Sequence, residues 1–148
     1  MKKIIALLAF ALILVSACSQ VEDEDSIKAK KIIDYHKKKF DALPLSGKIV
    51  DGIREIELKA IQYRWEPDTI VVKKGETIRF VIESVDSPHG FELEGIQIPG
   101  WNPDKAINKG EKVTLELKAE EAGVWDLVCT AYCGPGHAEM KGKYIVRD

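Results

Sequence analysis

The chain has 148 residues, 45% of them hydrophobic and 31% charged, with a formal net charge of −2. That length suits one domain with a modest core, and the apolar share is that of a globular protein. The basic residues are scattered, without the stripe that a nucleic-acid binder presents, so nucleic acid is excluded as a partner.

The first segment reads as a targeting sequence. Lys2 and Lys3 form a short basic start, and the apolar run IIALLAFALILV (4–15) follows. The run is short of the roughly 20 residues a spanning helix needs. It ends in LVSAC, with small residues before Cys18. Residues 1–17 are therefore expected to be a bacterial lipoprotein signal, cleaved before Cys18, which is then acylated. An uncleaved anchor helix is the alternative. Either one leaves the remainder outside the cytoplasm, and the lipoprotein reading anchors it by lipid to the cell membrane on its periplasmic side or outer face. Without Lys2 and Lys3 the chain has 20 basic and 24 acidic residues, a balance of −4.

Residues 18–48 read as a stalk. QVEDEDS is acidic and has nothing to bury. Ile27, Ile33, Phe40 and Leu43 then recur at helical spacing among lysines. Ser26 or Asp25 is the expected cap, and Pro44 the stop. This amphipathic helix could be solvated, lie on an anionic membrane, pack on the domain or meet a partner.

From residue 49 to 148 the texture is that of short strands. IREIELKAIQYRW alternates at Ile56, Leu58 and Ala60 and then changes phase to Ile61, Tyr63 and Trp65, which predicts a bulge. DTIVVKKGETIRFVIES predicts two strands around a turn at Lys73–Glu76. DSPHGF follows, with His89 between Pro88 and Gly90, a loop or strand end rather than a core position. NKGEKVTLELKA predicts a turn at Asn108–Glu111 and a strand with Val113, Leu115 and Leu117 on one face. GVWDLVC is a strand running into Cys129, and GKYIVRD is a closing strand. Many short strands at regular spacing, with no helical period, predict an all-β Greek-key barrel or sandwich.

Chemistry concentrates in CTAYCGPGHAEM, Cys129 to Met140. Apart from Cys18 and Met1, the chain's sulfur lies in this stretch: Cys129, Cys133 and Met140. His137 stands between them, and Gly134, Pro135 and Gly136 forbid a regular helix and favour a tight loop. His89 is the available second histidine. Thiolate and thioether are soft donors and imidazole is borderline, a set that suits copper, or zinc if methionine is a bystander. One thiolate would make a mononuclear copper site. Two can bridge a pair of copper ions, which suits one-electron relay and leaves no open position for a substrate. A Cys129–Cys133 disulfide fits the oxidising compartment but leaves His137 and Met140 without a role.

The pattern C-x3-C-x3-H-x2-M with an upstream His resembles the binuclear CuA site of cytochrome c oxidase subunit II, a site shared with nitrous oxide reductase. The likeness extends over Lys59 to Asp148 and includes the Q-aromatic run AIQYRW, the HGF loop and the AGVWDLVC…CGPGHAEMKGKYIV ending. It implies a cupredoxin Greek-key barrel holding two copper ions. By this resemblance Cys129 and Cys133 would bridge the metals, and His89 and His137 would be the terminal ligands. Met140 and the Ala131 carbonyl would be weak axial ligands, and Tyr63 and Trp65 would lie where electrons come in. Strand packing is the other reading of those two aromatics. The implied donor is a cytochrome c or small copper protein, and the implied acceptor is subunit I of a haem–copper oxidase. Two departures stand out. Many subunit II proteins have an acidic residue, holding a further ion, where this chain has Ala131. Past the signal segment no stretch matches the transmembrane helices typical of that subunit. A copper-handling role, as chaperone or sensor outside respiration, is the competing function.

Overall fold

The structure, a computed structural model, describes residues 24–148. The signal segment, Cys18 and the acidic start of the stalk lie outside the described residues. Helix α1 (Glu24–Asp41) has Glu24 and Asp25 in its first turn and Lys38 and Lys39 in its last, charges that complement the helix dipole. Asp25 and Ser26 therefore stand inside the helix rather than capping it, and the side chain of Ile33 is outside the described set. No helix among the described residues is long and apolar enough to cross a membrane.

The compact unit Lys37–Asp148 is a two-sheet sandwich. One sheet holds β1 (Lys48–Val50), β2 (Ile53–Ile61), β3 (Arg64–Glu66), β5 (Thr77–Ser84) and β7 (Lys112–Lys118). The other has the order β4 (Thr69–Lys73), β9 (Lys141–Arg147), β8 (Gly123–Val128) and β6 (Glu92–Leu93). The turn at Lys73–Glu76 joins strands of different sheets, so the chain crosses the sandwich there instead of forming a hairpin.

Alternation builds the core. Ile56, Leu58 and Ala60 of β2 and Ile78, Phe80 and Ile82 of β5 face inward from one sheet. Ile70, Val72, Leu127, Tyr144 and Val146 face them from the other. Fully burying one such aliphatic or aromatic side chain contributes about 1.5–3 kcal/mol. On the solvent face the period-2 pattern becomes a ladder of charges: Arg79 pairs with Glu116 at 2.7 Å and Glu55 at 3.6 Å, and Lys112 with Glu83 at 3.1 Å.

The phase change after Ala60 is not a bulge. The chain reverses at Gln62–Tyr63, and β3 returns antiparallel on β2 with Trp65 opposite Ala60. Cross-strand partners share a face, so both residues point into the core even though their positions differ in parity. A hairpin and a bulge leave the same trace in a hydrophobicity pattern.

A part-buried ion pair ties β2 to the turn between β4 and β5. Arg54 donates from Nε and Nη2 to both oxygens of Glu76 at 2.7 Å, and from Nη1 to the Ser46 carbonyl at 2.8 Å. Glu76 also accepts the Lys73 N–H at 2.8 Å. The Arg54 hydrogen bond, acting against burial, holds the Glu76 carboxyl below its ordinary range. A carboxyl lowered in the folded state adds stability above its unfolded pKa, and that stability is lost as pH falls through the folded value. Glu76→Gln is therefore expected to lower stability at pH 7 by about 1.5–3 kcal/mol. The gap to the parent should close as the medium is acidified below the ordinary carboxylate range and through the lowered folded value. Urea denaturation across a pH series checks both; a gap independent of pH would refute the linkage.

Candidate metal centre

Two strand registers assemble the site. β6 pairs with β8 as Glu92 opposite Val128 and Leu93 opposite Leu127. Continued outward, that antiparallel register sets Gly90 opposite Thr130 and brings His89 beside the chain after Cys129. β8 pairs with β9 as Val128 opposite Lys141, so Cys129 and Met140 are the next opposed residues, joined by the Cys129 N–H to the Met140 carbonyl at 3.4 Å. The dodecapeptide is thus the connection between two paired strands. A short 3-10 turn, His137–Glu139, folds its far half back.

The sulfur and nitrogen atoms converge. Cys129 Sγ lies 3.7 Å from His89 Nδ1, and Cys133 Sγ lies 3.7 Å from His137 Nδ1. The two Sγ atoms are 3.9 Å apart, and both cysteines are free. Met140 Sδ is 3.9 Å from Cys133 Sγ, and the Ala131 carbonyl oxygen is 3.2 Å from Cys129 Sγ. The donor atoms of His89, Cys129 and Cys133 all lie within 4.8 Å of one another. All six positions singled out as ligands are therefore grouped at one end of the sandwich.

His89 corrects the expectation of a loop position outside the core. It is 0% exposed. A reciprocal pair of backbone bonds with Ile107, at 3.1 and 2.8 Å, fixes its main chain. Its Nε2 is 2.9 Å from Asp86 Oδ1 and 3.1 Å from Ser87 Oγ. A nitrogen facing a carboxylate carries the proton, which leaves the Nδ1 lone pair for the sulfur side. Burial pushes the Asp86 carboxyl up, but the bonds from His89 and from the Gln62 N–H outweigh it and hold it below its usual range. For Cys133, burial and the neighbouring Cys129 push the thiol up to about 11. A soft cation would have to displace those protons on binding.

The site is asymmetric. His89 is enclosed, whereas His137 is half-buried with its ring edge-on to Tyr132, centroids 5.8 Å apart. Tyr132 is 75% exposed. Trp65, a candidate for the electron-receiving face, is 1% exposed and packs edge-on against Phe91 at 5.8 Å. Tyr63 is half-buried, with its ring over Gly134 and Gly136.

Three residues escaped the sequence reading. Asp86 stands one helical turn's spacing before His89, which is the only hint it offered. Gln62 donates from Nε2 to the Cys133 carbonyl, a contact across 71 residues. Tyr132 shows its exposure only once the loop has its shape.

Two thiols, two imidazole nitrogens and a thioether, with one imidazole backed by a carboxylate, are chemically suited to copper. Neither Cys129 nor Cys133 is diverted into a disulfide.

Comparison with known proteins gives consistent neighbours. The family model described as "Cupredoxin-like domain" matches residues 4–146. The chain is 33% identical over 89 residues to cytochrome c oxidase subunit 2 of Thermus thermophilus, covering 60% of this chain and 62% of that protein. It is 34% identical over 85 residues to quinol oxidase subunit 2 of Sulfolobus acidocaldarius, covering 55% of this chain and 44% of that protein. The chain thus spans between under half and about three fifths of the length of these relatives. A chain of a heme-copper terminal oxidase dimer superposes with a TM-score of 0.54 at 23% identity, covering 82% of this chain and 90% of that one. The metal-binding domain of the Streptococcus pneumoniae D39 Cu(I)-exporting P-type ATPase superposes with a TM-score of 0.52 at 21% identity, covering 70% and 95%. At such identities these superpositions show the shared fold.

Proposed function

This chain belongs to the cupredoxin-like family, and we propose that it is a one-electron carrier whose buried site holds two copper ions as a binuclear CuA centre. The observation that carries this reading is the pair of free thiols 3.9 Å apart, each with one imidazole Nδ1 at 3.7 Å. A mononuclear site has use for one thiolate, and a pair of coppers would use both. His89, Cys129, Cys133, His137 and Met140 would hold the metals through side chains, and Ala131 through its carbonyl. When bound, the pair would supply a one-electron couple shared over both metals, so that little rearrangement accompanies each transfer.

The protein's own residues set the conditions for that couple. Asp86 keeps the His89 proton on Nε2 and the ring in place. Burial of Cys129, Cys133 and Met140 keeps water from the sulfur atoms. His137 and Tyr132 form the open side, where electrons arrive or leave. Glycine-rich loop geometry holds the group together.

In this reading the electrons come from a cytochrome c or small copper protein and pass to subunit I of a haem–copper oxidase. Similarity to two oxidase second subunits supports that placement. Residues 1–17 are the signal, 18–48 a lipid-anchored stalk beginning at Cys18, and 49–148 the copper domain outside the cytoplasm.

Copper loading of the purified protein is the direct test. Two ions per chain, a purple colour and a mixed-valence seven-line electron paramagnetic resonance pattern are expected. One ion per chain with a four-line pattern would refute the binuclear centre. Slow electron self-exchange, with copper readily lost to a mild chelator, would replace the relay with a copper-handling role.

A further inference from the structure

The two loops that carry the histidines are not simply placed side by side by the strands. They are bracketed by the β2–β3 turn. Gln62 donates its backbone N–H to Asp86 Oδ2 at 2.9 Å, and Asp86 Oδ1 is 2.9 Å from His89 Nε2. The same residue's side-chain Nε2 donates to the Cys133 carbonyl. One glutamine therefore bonds to the loop of His89 through its main chain and to the loop of Cys133 through its amide.

The neighbouring Tyr63 completes the contact. A Cβ built on Gly136 would lie 2.5 Å from Tyr63 Cδ2 and 2.7 Å from its Cγ, and one built on Gly134 would collide with the phenol oxygen. The ring thus lies directly on the backbone on either side of Pro135. Gly134 has φ +135°, a conformation that side chains other than glycine's disfavour. The glycines of the loop are there for the tyrosine as well as for the turn.

We propose that Gln62 and Tyr63 are positioning residues that couple the two ligand loops and so set the relative placement of the His89–Cys129 and Cys133–His137 halves of the centre. This rests on the reading of those residues as metal ligands. Gln62 and Tyr63 both lie outside the proposed ligand set. Each acts through loop geometry, as groups behind ligands do elsewhere, where their loss typically lowers metal affinity about 10–100-fold.

The coupling is testable without metal. In the apo protein, Asp86→Ala is expected to shift the amide resonances of Cys133 to His137 in the native background. In a Gln62→Ala background the same change should shift them by less than about a third as much, because the link to the Cys133 carbonyl is cut. If Asp86→Ala disrupts folding, Asp86→Asn serves in its place. Equal shifts in both backgrounds would overturn the proposal. In the copper-loaded protein, Gln62→Ala and Tyr63→Ala should move the visible absorption bands at unchanged copper content and weaken affinity about tenfold. Tyr63→Phe, which keeps the ring, should preserve the native spectrum. Unmoved bands in both alanine variants would also overturn it. A single copper per chain would remove the binuclear reading while leaving the apo result to decide the coupling.

Discussion

Replacing Cys133 with serine is expected to reduce bound copper from two ions per chain to one or none, and to abolish the purple colour and the seven-line resonance. Three of the short distances in the site run through this sulfur: 3.9 Å to Cys129 Sγ, 3.7 Å to His137 Nδ1 and 3.9 Å to Met140 Sδ. A serine hydroxyl has nearly the same shape but is a hard donor, remains protonated and does not bridge soft ions. The fold should survive, since burying one hydroxyl without a partner costs about 1–3 kcal/mol by mutational measures. Metal analysis, optical and resonance spectra, and urea denaturation of the same sample separate loss of ligand from loss of fold. A folded variant that keeps two coppers and the seven-line pattern would show the ligand assignment to be wrong.

Alanine at Gly90 is expected to damage the site as severely, through the backbone. A Cβ there would collide with Thr130 Oγ1 and lie 2.5 Å from the Ala131 nitrogen and 3.0 Å from the Thr130 carbonyl carbon. These atoms have little room to yield. Thr130 Oγ1 is bonded to the Pro103 carbonyl, and the main chain there leads out of β8 through Cys129. Overpacking of this kind costs about 1–3 kcal/mol, and the larger figure is expected because the obstacle is main chain. Relief would require the Cys129–Ala131 segment to move away from His89, lengthening the 3.7 Å approach of Cys129 Sγ to His89 Nδ1. Urea denaturation should show the loss of stability, and copper titration a weaker or incomplete uptake. Native stability with full uptake would mean that the two loops are free to separate.

Much of this was legible in residue order. The alternation of Ile56, Leu58 and Ala60 and of Ile78, Phe80 and Ile82 marks half-buried strands, and each appears with that face inward. The crowding of cysteine, histidine and methionine into 129–140 marks the site because soft ligands have few other uses together. Each misreading has its own cause. Hydrophobic parity reports which face a side chain takes, but not whether the chain has reversed, so the Gln62–Tyr63 hairpin looked like a bulge. Flanking Pro88 and Gly90 correctly marked His89 as lying outside a regular strand, yet burial depends on what covers a loop, and here the second ligand loop and the Ile107 segment cover it.

Residue identities set the chemistry: which donor atoms are available, how soft they are, and that four of the five side chains proposed as ligands sit within twelve residues. Their arrangement comes from tertiary packing. His89 is 40 residues from Cys129, and they meet because β6 pairs with β8 in a register that carries Gly90 across Thr130. Asp86 and Gln62 acquire roles because that same packing sets their hydrogen-bonding groups against His89 and Cys133. Donor identity is a property of side chains, whereas distance and exposure are properties of strand pairing, which joins residues far apart in the chain.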